Sequence, residues 1–291
     1  MSIQNKPRRH HYVPRFLLQN LVQSDKKTFF FYDKDDRKIK CGAPKTLANE
    51  IDFYSYKHNG NEVCLEESFF GPLDHEAAIV IKQIVDNDLG TFNEKQKETI
   101  SKFVAAQYLR VPQRRNRYKR ITEDIVSAIG PQFPMIFLDC PAGQVTDDTI
   151  KEYNLKNFEP LHKKCFSDLM KRELCLVENV SQHPFFLSDA PVYLLNTYEQ
   201  YELDTIPGDI LFPISPKKAI CFYSNPEKIK EFKITSEEIK KINVCLLQNA
   251  ERFVFSNDKD ILQELVQYDI IEPPRVCFEG RASEMLKIFY E

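Results

Sequence analysis

The sequence predicts an α+β fold in which a central helical layer lies between β-containing ends. Three observations carry that reading. The first 60 residues hold short aromatic or alternating runs broken by turn residues, the pattern of strands. From Leu65 to about Ile129 apolar residues recur at helical spacing, and helix resumes from about Thr146 to Lys171. From Leu174 onward, short apolar runs separated by proline and polar turns return.

The chain has 291 residues, enough for one large domain or two modest ones at roughly 100–200 residues each. We read residues 1–9 as a flexible basic arm and 10–291 as a single α+β domain. Its sub-regions are 10–60 (β-rich), 65–171 (helical) and 172–291 (α+β).

A short helix is expected from Pro14 to Asn20, with proline in the first turn, where its missing N–H does no harm. Lys27–Asp33 reads as an aromatic strand stopped by Asp33-Lys34-Asp35-Asp36. Arg37–Cys41 alternates charge and apolarity like an edge strand. Ile51–Tyr56 reads as one further strand, and Asn59-Gly60 supplies a hairpin turn. In the helical region, Leu73, Ala77, Val80, Ile81 and Ile84 share a face. Ile100, Phe103, Val104 and Gln107 continue the pattern in a second helix, with Asn93 as its N-cap. Pro112 should end that helix near Val111, because a residue before proline disfavours the α region. A third helix is expected over Pro112–Ile129, a proline-rich loop over Gly130–Gly143 and a further helix over Thr146–Lys171. The later strands are placed at 174–177, 185–187, 192–195, 210–212 and 219–223. Ser236 is read as the cap of a helix over Glu237–Ala250, followed by a strand at Arg252–Phe255.

Composition excludes several classes. Lys and Arg number 40 against 43 Asp and Glu, a net charge of -3, so this is no generally basic nucleic-acid binder. No apolar run approaches the ~18 residues of a membrane span, and the polar start lacks a signal-peptide core. A soluble, cytoplasmic protein with no membrane partner is expected. The eight cysteines are scattered without a C-x-x-C pair, the usage of buried free thiols in a reducing compartment. No phosphate-binding glycine loop, G-x-S-x-G elbow, H-E-x-x-H helix or deaminase zinc motif occurs.

Three segments offer chemistry. His10-His11-Tyr12-Val13-Pro14 is flanked by Arg8, Arg9 and Arg15. Imidazoles exchange protons near neutral pH, and arginines hold phosphate. In an extended segment the two rings face opposite ways. The alternative is an exposed basic tail, whose imidazoles would contribute little to the core. The second segment, Gln107-Tyr108-Leu109-Arg110-Val111-Pro112-Gln113-Arg114, opens a run with six basic residues and no acid between Arg110 and Arg120. Gln107 and Arg110 share a helix face. Basic density interleaved with Tyr108 and Tyr118 suits a nucleic-acid backbone, and a solvated helix face is the competing reading. The third, Leu187-Ser188-Asp189-Ala190-Pro191, sets a carboxylate at a strand end, where it either serves a site or simply makes a turn.

Taken together these segments resemble the family catalogued as domain of unknown function 4238. His10–Asn20 looks like its N-terminal signature and Gln107–Arg114 like its Q-x-x-R-x-P-x-R element. Leu187–Pro191 with Phe212-Pro213-Ile214-Ser215-Pro216 is similar to its T-S-D-N-P and P-L-S-P segments, with Leu187 and Ala190 in place of Thr and Asn. Asn243 and Arg252–Ser256 match its C-terminal part. The resemblance spans about residues 8–258. It implies a bacterial, cytoplasmic protein, with some relatives linked to phage defence. It also implies that His10, His11, Tyr12, Gln107, Arg110, Arg114, Ser188, Asp189 and Asn243 belong to one shared site.

The expected activity is that of a nuclease or other phosphodiesterase acting on RNA or DNA. His10 or His11 would be the general acid or base, and Arg110 and Arg114 would clamp phosphate. Asp189 would orient a histidine or share a divalent metal with it. Tyr12, Gln107, Ser188 and Asn243 would contact substrate. The alternatives are a non-catalytic sensor of a phage component or nucleotide, and an enzyme acting on NAD or a small phosphorylated metabolite. An open basic groove favours the polynucleotide, a closed pocket the small ligand.

Overall fold

The computed structural model describes residues 8–22, 26–58, 61–86, 91–129, 146–195, 206, 208–224 and 233–269. Arg8 and Arg9, assigned from the sequence to a flexible arm, are held in the fold. Arg8 already pairs with Asp52, and Arg9 opens strand β1 (Arg9–His11). β1 runs antiparallel to β4 (Asn49–Ile51), with His10 opposite Glu50. Between them lie helix α1 (Arg15–Gln19), entered from Pro14, and strands β2 (Phe29–Asp33) and β3 (Lys38–Gly42).

The strand expected at 51–56 is two strands. β4 ends at Ile51, residues 52–54 turn, and β5 (Ser55–His58) pairs with β6 (Asn61–Cys64). Asp52 makes the break at φ 53°, a left-handed conformation that Asp tolerates better than most residues. Asn59-Gly60, placed by sequence at the tip of this hairpin, lies outside the described residues.

A π-helical turn, Glu66–Phe70, leads into α2 (Gly71–Val85). Asn93 caps α3 (Glu94–Leu109) in a reciprocal box with Gln96, which satisfies two otherwise orphaned amides. Arg110 and Val111 separate α3 from α4 (Pro112–Ile129), where the proline break was expected. The helix read over 146–171 divides at Asn157 into α5 (Asp147–Lys156) and α6 (Phe158–Met170). α3 packs against both α2 and α6, and its inward face (Ile100, Phe103, Val104, Gln107) is wholly buried.

The second half supplies β7 (Glu173–Asn179), β8 (Leu187–Ser188), β9 (Tyr193–Leu194), β10 (Ile210–Ser215), β11 (Lys218–Tyr223) and β12 (Lys233–Ile234). Then come α7 (Ser236–Asn249), β13 (Phe253–Ser256) and α8 (Lys259–Leu265). Thr235, not Ser236, caps α7. Only from Thr235 does the third helical residue, Glu238, carry a side chain able to close the capping box.

β12-β7-β11-β10-β9 form one sheet, antiparallel except where β12 meets β7. A second sheet has the order β3-β2-β13-β8. The N-terminal strands therefore complete a sheet begun by the C-terminal half, and the α+β class is realised as interleaved layers. One apolar cluster joins α1, α2, α3 and α6; the other seats α7 and α8 on the far strands.

Candidate functional site

Tyr54 is the hub of the N-terminal motif, and the turn at 52–54 is what delivers it. Its backbone N–H donates to His10 Nδ1 at 2.9 Å, and its ring stacks on the imidazole with centroids 5.6 Å apart. The His10 ring, only 1% exposed, has its Nε2 3.8 Å from Cys64 Sγ. Tyr54 Oη stands 3.3 Å from the His11 carbonyl and 3.5 Å from that of Arg110. The two histidines diverge, as alternation along a strand requires. His11 is half-buried, and its Nε2 has no hydrogen-bond partner. Burial, with Arg15 and Arg9 nearby, lowers its pKa below the ordinary value, against the pull of the Lys45 and Pro44 carbonyls.

Gln107 ties this segment to the helical layer. Its Nε2 donates to the Tyr12 carbonyl at 2.8 Å, and its Oε1 accepts from Arg110 Nε at 2.8 Å. The three-residue spacing makes the second contact possible. Tyr12 N–H donates at 2.9 Å to the carbonyl of Ala48, which holds φ 52°, a strained value for alanine. The Arg110 guanidinium is sealed inside, lying over the Phe70 and Phe103 rings at 5.3 and 5.4 Å. Its Nη2 forms an ion pair with Asp74 at 2.9 Å, without hydrogen-bond alignment. Burial raises the Asp74 pKa and pushes Glu66, on the π-helical turn, up to about 7, while Arg110 pulls both down.

Arg114 is also turned inward. It donates to Tyr108 Oη at 3.0 Å and lies 4.3 Å over that ring.

The third motif is a clamp. Asp189 Oδ1 accepts the Glu251 amide at 2.9 Å, and its Oδ2 accepts those of Arg252 and Phe253 at 2.7 and 2.8 Å. Burial pushes its pKa up to about 6 against those three amides. Ser188 Oγ accepts the Ala190 amide at 3.3 Å. Asn243 uses both ends of its amide, accepting from Phe186 N–H and donating to the Pro184 carbonyl, each at 2.8 Å. Both oxygens of Asp189 are thus engaged by backbone, a poor arrangement for a metal ligand. Among the described residues no group of three His, Cys, Asp or Glu is arranged to hold a metal ion.

His10, Tyr12, Gln107 and Arg110 therefore form one connected network. Asp189 bears on it through its charge on the buried Tyr12 ring, whose pKa is raised chiefly by burial. Asn243 holds the loop leading into Asp189, and Ser188 holds the Ala190 amide just after it.

Beside the network opens a cleft of about 480 Å3, counting its mouth. One face of α4 supplies Arg115 and Tyr118, with Val111 just before it; one face of α5 supplies Lys151, Asn154 and Leu155. Phe53, Tyr54, Phe158 and Leu161 make the aromatic and aliphatic walls, with Leu109 and Arg110 completing the lining. Arg115 lies 4.7 Å over Phe53 and pairs with Glu50 at 3.2 Å. Asn154 Oδ1 is buried without a hydrogen-bond partner. Sequence reasoning missed Tyr54, Asp74, Lys151 and Asn154. The i, i+3, i+4 spacing of 151, 154 and 155 was the available signal, but it marks any helix face.

The family model for proteins of unknown function (DUF4238) matches residues 9–260. The chain belongs to this family. The matched span of the DUF4238 protein begins at β1 and ends within α8, so it covers the network, the clamp and the cleft. Comparison with curated proteins and with solved structures gives no match. No helix among the described residues is long and apolar enough to cross a membrane.

Proposed function

We propose that this DUF4238 protein is a recognition protein for a nucleotide-class ligand, whose ring enters the cleft between α4 and α5. The observation that carries this is the cleft's lining. Aromatic rings offer stacking surfaces, Lys151 offers positive charge for phosphate, and Asn154 holds a buried acceptor that a base amino group would satisfy. The basic run is a weaker support for a long strand. Arg114 faces inward, Arg115 pairs with Glu50, and Lys119 pairs with Asp147 at 2.6 Å. Whether the nucleotide is free, part of RNA or DNA, or of phage origin belongs to the same proposal, as do the cytoplasmic setting and a role in antiviral defence.

Calorimetry against a panel of mononucleotides and short oligonucleotides tests this reading. At least one ligand is expected to bind, and Tyr118→Ala should weaken it about 5- to 150-fold, the range for loss of one stacked base. Lys151→Ala should weaken binding and reduce its salt dependence. No binding by any member at millimolar concentration would sink the proposal.

The phosphodiesterase reading keeps one specific support, the His11 ring. Burial lowers its pKa, its Nε2 is unpartnered, and it sits beside two arginines. Under it, His11→Ala should lose about 10²-fold or more in cleavage of RNA or DNA. His10→Ala should behave differently from the sequence expectation for a terminal imidazole. It strips the buried Tyr54 amide of its acceptor, and the melting temperature should fall by several degrees. Full cleavage by a folded His11→Ala variant would remove histidine from the chemistry.

A further inference from the structure

We infer that Cys175 and Cys221 are a redox modification site, closing to a cross-strand disulfide when the protein meets a peroxide. The two are direct partners in the antiparallel pairing of β7 with β11, at the middle of the five-stranded sheet. Directly opposed residues project to the same face with Cα atoms about 4.5–5.5 Å apart, inside the window of about 4.4–6.8 Å that a disulfide spans. Their Cβ atoms lie about 4.5–5.5 Å apart in such pairs and must approach to about 3.5–4.5 Å for the bond. A small local twist of two strands suffices. Among the described residues no other cysteine has a cysteine as its strand partner.

The two thiols differ in the way a sensor pair needs. Cys175 is half-buried and reachable by a small oxidant, whereas Cys221 is 1% exposed. The facing Cys175 thiol, together with burial, raises the Cys221 pKa well above the usual thiol range. Cys175 is therefore the group that reacts first. Its thiolate attacks hydrogen peroxide, the O–O bond breaks, and the departing hydroxide is protonated to water while the sulfur becomes a sulfenic acid. Cys221 sulfur then attacks the Cys175 sulfur, the S–O bond breaks, and the Cys221 proton leaves with the hydroxide as a second water. Two thiols are oxidised by two electrons in all, and one peroxide is reduced to two waters. The product locks β7 to β11 across their shared register.

The test is peptide mass mapping of the full chain, oxidised under native conditions with equimolar hydrogen peroxide, alkylated and digested without reductant. The expected product is a Cys175–Cys221 cross-linked peptide, about 2 Da lighter than its two thiol peptides combined and restored by dithiothreitol. In Cys221→Ser, Cys175 should accumulate as a sulfenic acid that dimedone traps; in Cys175→Ser, Cys221 should stay reduced. Cross-links dominated by another cysteine, or Cys175 that stays alkylatable or passes to sulfinic acid without a cross-link, would overturn the assignment. The map of the unaltered chain decides this even where a serine variant does not fold.

Discussion

Asp189→Ala is expected to destabilise the protein by about 3–5 kcal/mol, measured by urea denaturation, because it strips three backbone amides of their acceptor at once. Each amide left unsatisfied away from water costs about 1–3 kcal/mol. The turn at 251–253 and the loop after β8 are held together by this carboxylate and by the Asp189 amide, which donates to the Phe253 carbonyl at 3.0 Å. Asp189→Asn keeps one acceptor oxygen but turns an N–H₂ toward an N–H, so its loss should be intermediate. A catalytic orienting role makes the opposite forecast: activity falls while stability holds. An alanine variant within about 1 kcal/mol of wild type would refute the clamp, given that such a loss lies at the centre of ordinary point-mutant effects.

The behaviour of Asp189 also shows what a sequence can carry. Periodicity located α2, α3 and α4, because a buried helix face repeats every three to four residues whatever covers it. Asn93 and the break at Pro112 were legible because caps and prolines act through neighbouring backbone. The pairing of β2 with β13 was not legible, since both strands read as short aromatic runs and nothing local names a distant partner. The same limit hid the site. Gln107 and Arg110 stood out as a helical pair, but Asp74, which completes the ion pair, sits on another helix among ordinary surface-type residues. Asp189 looked like a turn residue or a functional carboxylate, and only the three amides converging on it from the turn that enters β13 separate the two.

Arg110→Ala is the second large effect, expected at about 3 kcal/mol, the low end of the 3–5 kcal/mol range for breaking a buried ion pair. The low end applies because Asp74 keeps 23% of its side chain exposed, so water can reach the carboxylate once the guanidinium is gone. Gln107 would lose the donor on its Oε1, and the Phe70 and Phe103 rings would lose the cation between them. Arg110→Lys should recover only part of the loss. An ammonium on a flexible stem keeps the charge but cannot lie flat between the rings while donating to Gln107. The decisive comparison adds Asp74→Asn. If the penalty comes from a stranded charge, Arg110→Ala should cost at least about 1 kcal/mol less in the Asp74→Asn background than in wild type, a coupling expected of residues in contact. Strictly additive losses would mean that the Asp74 carboxylate has no part in the penalty, and that the arginine holds the network through Gln107 and the two rings instead.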